Sequence, residues 1–250
     1  MLRRQAIASL VAAGAWAKRL QDFFAGAHGG AMLVDRKTLR VITAQSADLA
    51  GPPGSTLKPI VLQSLLNRGR LRPDEAVICP GQLRLAGRQF NCTHPRLSIP
   101  MTVRTAIAYS CNFYVARMAA RFAEGELRRD LEAWGLETHA ADPALQALGE
   151  EGVVATPATL AAAYARFAPH AAPAVRAGME DAVTYGTAQR AQVAGLTIAG
   201  KTGSARNIAW FAGFTNTVTI AVLIQGHSGG ADAAPIAARI LQAHAQGHPL

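Results

Sequence analysis

The sequence predicts an α+β domain in which an antiparallel sheet of about five strands is assembled from both ends of the chain around a helical insert. Three observations predict it. A hairpin pattern lies over residues 31–44, three strand-like apolar runs follow one another after residue 196, and the stretch between them repeats at helical spacing. The 250 residues are half hydrophobic, 6% aromatic and 16% charged. That balance excludes disorder, collagen and coiled coil, and permits one or at most two ordinary domains with a substantial core.

The first element is a targeting segment. Met1-Leu2-Arg3-Arg4 supplies a positive start, Gln5 to Gly14 a short apolar stretch, and Ala15-Trp16-Ala17 an A-x-A cleavage pattern. Residues 1–17 are therefore expected to be a signal peptide cleaved after Ala17, with 18–250 as the mature module in the periplasm or cell envelope. A retained membrane anchor is the competing reading, but the apolar run is well short of the roughly 20 residues that cross a bilayer. Loss of Arg3 and Arg4 takes the formal charge from +9 to +7. The basic residues are scattered rather than clustered with aromatics, so a generally basic surface is expected and no nucleic-acid partner.

In the hairpin, Ala31 to Val34 is a strand, Asp35-Arg36-Lys37-Thr38 a turn, and Leu39 to Thr43 a second strand. Gly51-Pro52-Pro53-Gly54 then punctuates the chain. From Ser55 to Asn67 the apolar residues fall at helical spacing, with Pro59 near the start and Gly69 as a stop. Residues 102–123, 126–134, 157–168 and 179–190 are further helix candidates, so the insert covers about 55–190. Residues 196–199, 208–214 and 218–224 read as strands, and Pro235 to His244 as a closing helix. A cleft is expected where the insert meets the sheet. Export makes bridges possible among the three cysteines. Cys79 and Cys92 flank a segment with turn residues at both ends and a strand-like middle, the pattern of a small disulfide-closed hairpin; Cys111 is left as a small buried hydrophobe.

Three short motifs carry chemistry. Ser55-Thr56-Leu57-Lys58 is S-x-x-K at a helix start, where residues three apart share a face and the Lys58 amine can reach the Ser55 hydroxyl. Serine is a weak nucleophile unless a base takes its proton, and a lysine kept neutral by burial and neighbouring positive charge is such a base. Ser110-Cys111-Asn112 divides the 102–123 stretch into two helix candidates, Thr102 to Tyr109 and Phe113 to Phe122. From there Ser110 can relay a proton to a leaving amine, while Asn112 can hold a substrate amide and a lysine. Lys201-Thr202-Gly203 follows a strand-like run. Lys201 and Thr202 suit a carboxylate, Gly203 permits close approach by an extended ligand, and the N–H groups of Ser204 and Ser55 form an oxyanion hole. Any one of these arises by chance; all three in this order do not.

With Pro53-Gly54-Ser55-Thr56-Leu57-Lys58-Pro59, which looks like the P-G-S-T-x-K-P of high-molecular-weight transpeptidases, the chain resembles the penicillin-binding protein transpeptidase family. That family sits in the superfamily of serine penicillin-recognising enzymes that also holds the serine β-lactamases. The likeness runs from about Gly29 to Ala243. It takes in Cys79-Pro80-Gly81 with Cys92 and His94, Thr156-Pro157, Gly186-Thr187-Ala188, and Trp210 to Phe214. The resemblance implies a β-lactamase/transpeptidase-like fold. It also implies acylation of Ser55 by the penultimate D-alanine of a peptidoglycan stem peptide, release of the terminal D-alanine, and transfer to an amine or water. β-Lactams would acylate the same serine. The chain departs from the family in three ways. The catalytic module follows the signal without the usual pedestal, so a wall-synthesis partner protein is a candidate substitute. The segment between Lys201 and Trp210 is short, which leaves one rim of the cleft open. Gly149-Glu150-Glu151-Gly152 replaces the common Gly-Gln-Gly, and an acid there is either surface decoration or an aid to a water near the cleft.

A serine β-lactamase is the alternative, but Glu150 and Glu151 match no deacylation motif, and class D enzymes carry a hydrophobic residue in place of Asn112. A scaffold with a retired site would have no chemical reason to keep Ser55, Lys58, Ser110, Asn112 and Lys201 together, and a β-lactam-binding sensor is expected to need a membrane-crossing segment, for which no later apolar run is long enough. No cofactor and no metal are expected. His244 and His248 are four apart, but Gly247 and Pro249 make a helical zinc site there a poor reading. Trp210, Phe211 and Phe214 read chiefly as core.

Overall fold

One side chain sets the reversal after β1 (Gly29–Asp35). Asp35 Oδ1 accepts hydrogen bonds from the Lys37 N–H (3.0 Å), the Thr38 N–H (2.7 Å) and the Thr38 hydroxyl (2.8 Å). This local turn returns the chain into β2 (Val41–Gln45). The structure, a computed structural model, describes residues 20–95, 99–248 and 250. The expected signal peptide, 1–17, lies outside them.

The helical part follows in chain order. It comprises α1 (Lys58–Asn67), the short strands β3 (Arg84–Leu85) and β4 (Arg88–Gln89), α2 (Val103–Ala108), α3 (Asn112–Ala119) and α4 (Glu126–Ala133). Then come β5 (Glu137–Thr138), α5 (Pro143–Ala147), β6 (Val153–Val154), α6 (Pro157–Phe167) and α7 (Pro173–Thr184). The chain closes with β7 (Ala199–Ala205), β8 (Ile208–Phe214), β9 (Val218–Gln225) and α8 (Ala234–Ala245). The predicted sheet forms with five antiparallel strands in the order β2-β1-β9-β8-β7, so β1 and β9 bring the two ends of the chain together.

Both faces of the sheet are covered. Val218, Ile220, Val222 and Ile224 of β9 point to a core completed by Leu20, Phe24, Ile236 and Ile240. Ala221 and Leu223 point to the larger core with Trp210, Phe214 and the helical insert. Two-sided burial is why Ile220 to Ile224 of β9 read as a continuous apolar run instead of alternating. Phe167 and Phe214 meet edge-on with ring centroids 6.3 Å apart, and fully burying each contributes about 1.5–3 kcal/mol.

Helix starts are written locally. Thr102 with Thr105, and Thr156 with Thr159, form reciprocal caps at α2 and α6, and Pro157 occupies the first turn of α6. Two boundaries differ from the sequence expectation. The helix expected over 179–190 spans Pro173–Thr184: Pro173 opens it, and Gly186 closes against α2, where a methyl group would lie 2.2 Å from Ala108 O. The strand expected over 196–199 spans Ala199–Ala205. Pairing with β8 overrides the loop-like composition of Gly200-Lys201-Thr202-Gly203, so the third motif lies within a strand instead of after one. Among the described residues, no helix is long and apolar enough to cross a membrane.

Candidate active site

Three anchors hold the Pro52-Pro53-Gly54 turn. Trp210 Nε1 donates to Pro52 O at 2.9 Å, Gly54 N donates to Gly149 O at 3.0 Å, and the buried Tyr164 hydroxyl donates to Thr56 O at 2.6 Å. Gly54 adopts φ +54°, and a methyl group there would lie 2.9 Å from Ser204 O, so only glycine fits. Ser55 follows, half-buried, in a 3-10 turn over Gly54–Leu57 that runs directly into α1 at Lys58. In a 3-10 turn side chains three apart eclipse, which keeps Ser55 and Lys58 on one face.

Lys58 is fully buried. Its Nζ contacts Ser110 O at 2.8 Å, Ser110 Oγ at 3.2 Å and Asn112 Oδ1 at 2.5 Å. Lys201, also fully buried, reaches the same hydroxyl from the sheet: Nζ to Ser110 Oγ is 2.9 Å and Nζ to Thr202 O is 3.0 Å. Ser110 thus joins all three motifs, and it does so at φ +56°, a costly conformation for a non-glycine residue. Asn112 holds Lys58 with its oxygen and donates from Nδ2 to Phe90 O at 2.9 Å, tying the second motif to the residue that follows β4.

Two amines meet around one hydroxyl, both out of water, and burial disfavours the charged form of each. Burial pulls Lys58 down to about 8, opposed in part by Cys111, Cys92 and Glu150. Burial first, and the charge of Lys58 second, hold Lys201 well below the usual lysine range. A neutral Lys58 amine spends its two N–H donors on Ser110 O and Asn112 Oδ1 and keeps a lone pair for an incoming proton.

The carboxylate-binding candidates lie on β7, at the sheet edge nearest Ser55. Thr202 Oγ1 donates to Thr187 Oγ1 at 2.9 Å. Gly203 packs so tightly that a methyl group would lie 2.4 Å from Pro53 O. Ser204 is exposed, its hydroxyl accepts from Gly229 N at 2.9 Å, and its own backbone nitrogen faces Gly54. The unpaired side of an edge strand can receive an extended peptide.

Several residues of the site carry no local signal. Trp210 reads as core and Tyr164 as one position of the 157–168 helix; both are buried, yet their polar atoms hold the Ser55 turn. Gly149 abuts Gly54 so closely that a methyl group would lie 2.3 Å from Gly54 O. This places Glu150 beside the turn: it is half-buried, and burial raises its carboxyl against the pull of Arg88, Lys58 and Arg206. Glu151 instead faces solvent and pairs with Arg88 at 2.5 Å. The cysteines also differ from expectation. Cys79 and Cys92 do meet below the β3–β4 turn, but their sulfurs are 3.6 Å apart and unbonded. Cys111 is buried, yet it is no bystander, with its sulfur 3.7 Å from that of Cys92. Folding brings the second motif against the hairpin base, a contact that the 19-residue separation of Cys92 and Cys111 gives no hint of.

The family model of the penicillin binding protein transpeptidase domain matches residues 29–242. Two solved structures share the fold. Pseudomonas aeruginosa PBP2 in complex with WCK 5153 is similar with a TM-score of 0.77 and 20% identity, over 91% of this chain and 76% of that one. A peptidoglycan glycosyltransferase from Burkholderia ambifaria is similar with a TM-score of 0.80 and 22% identity, over 95% of this chain and 94% of that one. No curated protein matches in sequence.

Proposed function

We propose, because the chain belongs to the penicillin-binding protein transpeptidase domain family, that it is an exported serine D,D-transpeptidase/carboxypeptidase acting on peptidoglycan stem peptides ending in D-Ala-D-Ala. Ser55 Oγ attacks the carbonyl carbon of the penultimate residue and its proton passes to Lys58. The N–H groups of Ser55 and Ser204 hold the oxyanion. Lys58 hands that proton to Ser110 as Ser110 gives its own to the departing D-alanine amine; the C–N bond breaks, leaving an ester on Ser55 and a neutral Lys58. An acceptor amine or a water then cleaves the ester. Lys201 and Thr202 bind the terminal carboxylate, and Asn112 orients the substrate amide and Lys58. Release of one proton from the buried pair relieves the repulsion, and a bound carboxylate beside Lys201 favours keeping the remaining proton there. β-Lactams, which carry a strained amide and a carboxylate, acylate Ser55 by the same steps and stop at the ester.

The observation that carries this reading is the bridge of Lys58 and Lys201 through one hydroxyl, Ser110 Oγ. A structural role gives no reason to bury two lysines around a strained serine. Fluorescent penicillin followed by intact mass tests it: a long-lived adduct on Ser55, absent from Ser55→Ala, is expected. Labelling of Ser55→Ala, or no adduct at all on the unaltered protein, would overturn it. One observation favours a second reading, hydrolysis of the acyl-enzyme as in a β-lactamase. Glu150 is a half-buried acid beside the Ser55 turn, and rapid loss of the adduct to give penicilloic acid is the outcome that would support it.

A further inference from the structure

We propose that Cys79, Cys92, His94 and Cys111 bind one zinc ion, tying the β3–β4 hairpin to the segment that carries Ser110 and Asn112. Their ligand atoms all lie within 4.8 Å of one another. In a tetrahedral thiolate site, zinc–sulfur bonds of about 2.3 Å set neighbouring sulfurs about 3.8 Å apart. Cys79 and Cys92 stand at 3.6 Å, and Cys92 and Cys111 at 3.7 Å. A disulfide would draw two sulfurs to about 2.05 Å and strand the third, whereas a metal uses all three.

The histidine gives an independent argument. His94 Nδ1 lies 2.7 Å from Pro95 O, and because a carbonyl only accepts, Nδ1 carries the ring proton. Nε2 is then a bare lone pair, and it is buried with no hydrogen-bond partner among the described residues. A buried unpaired acceptor is costly unless something fills it, and a backbone bond that fixes the tautomer is the usual partner of a metal-binding imidazole. Each sulfur also receives a backbone N–H: Gly81 N to Cys79 Sγ at 3.3 Å, Phe113 N to Cys92 Sγ at 3.5 Å, and Tyr114 N to Cys111 Sγ at 3.4 Å. Such donors stabilise thiolates.

Three sulfurs and one imidazole select zinc over calcium or magnesium, and a closed set of four protein ligands marks a structural site. Binding releases the three thiol protons to solvent and leaves a neutral imidazole, so the loaded site carries one negative charge. The ion clamps the base of the hairpin to the N-cap of α3, next to the Asn112–Phe90 bond. This proposal stands apart from the acyl-enzyme reading, since its readout is metal content.

The test is elemental analysis of the purified full chain, dialysed against reducing buffer with zinc and then without it. About one zinc per chain is expected, with all three thiols unreactive toward a thiol reagent until a chelator is added. Cobalt substitution should give thiolate-to-cobalt charge transfer and tetrahedral d–d bands, a readout that needs no variant. Cys79→Ser and His94→Ala, outside the Ser110–Asn112 segment, should each weaken zinc binding at least about tenfold. A folded protein that takes up no zinc and leaves three reactive thiols would overturn the proposal. So would a Cys79–Cys92 disulfide that forms when zinc is present.

Discussion

Lys201 Nζ reaches Ser110 Oγ at 2.9 Å across 91 residues of sequence, joining the edge of the sheet to the loop between α2 and α3. Because Ser110 sits at φ +56°, its hydroxyl and its backbone can be tested separately. Ser110→Gly removes the proton relay and relieves the strained backbone, whereas Ser110→Ala removes the relay alone. Both should slow acylation by penicillin by about 10²–10⁴-fold. Thermal melting should nevertheless rank Ser110→Gly at or above Ser110→Ala. A glycine variant that melts well below the alanine variant would contradict the strain argument.

Acylation should rise with pH. The Lys58 amine must be unprotonated to take the Ser55 proton, and burial brings its midpoint to about 8. Below that midpoint the rate should fall toward about tenfold per pH unit; above it the rate should level off. The groups acting on Lys58 are Ser110 and Asn112, which hydrogen-bond its amine, and Cys111, Cys92 and Glu150, which raise its proton affinity. Glu150 favours the ammonium form, so Glu150→Gln should move the midpoint to lower pH in stopped-flow labelling.

Glu150 also allows a test of what resolves the ester. If it assists the attacking water, Glu150→Gln should lengthen the life of the penicilloyl adduct by about 10²-fold or more, read by intact mass after removal of free penicillin. An unchanged lifetime would mean that the acid acts only through its charge on Lys58.

Tyr164 offers a stability test at a distance from the reacting atoms. Tyr164→Phe leaves the buried Thr56 carbonyl without its 2.6 Å donor. The loss should be about 1–3 kcal/mol in urea denaturation. Slower acylation should accompany it, because the same bond holds the turn that presents Ser55.

What the sequence makes legible is what neighbours decide. The Asp35 turn, the Thr102 and Thr156 caps and the placing of Ser55 and Lys58 one 3-10 turn apart depend on residues within a few positions of each other. The break between α2 and α3 is legible too, because Ser110-Cys111-Asn112 interrupts the helical spacing. The strand character of Lys201-Thr202-Gly203 is imposed by Ala212, Phe211 and Trp210 across the ladder, and two glycines disguise it. The N-terminal limit of α7 is set by Pro173, well before the stretch whose spacing suggested a helix. Cys111 reads as filler because its neighbours Cys79 and Cys92 come from a separate hairpin. The anchoring roles of Trp210 and Tyr164 are invisible for the same reason: an indole N–H and a phenol O–H find their carbonyls only after the chain has folded.

The sheet stops at β7, yet six of the seven residues of that strand are buried. An open edge normally invites another copy of the same protein to add its own strand, the first step toward aggregation. Here the Ser55 turn on one side and the turn at Gly229–Ala233 beside Gly203 narrow the approach to β7. An incoming chain must therefore arrive single and extended, without a sheet behind it. The crowding beside Ser55 thus also guards the open edge against self-pairing, and widening that slot would expose the protein to association with itself.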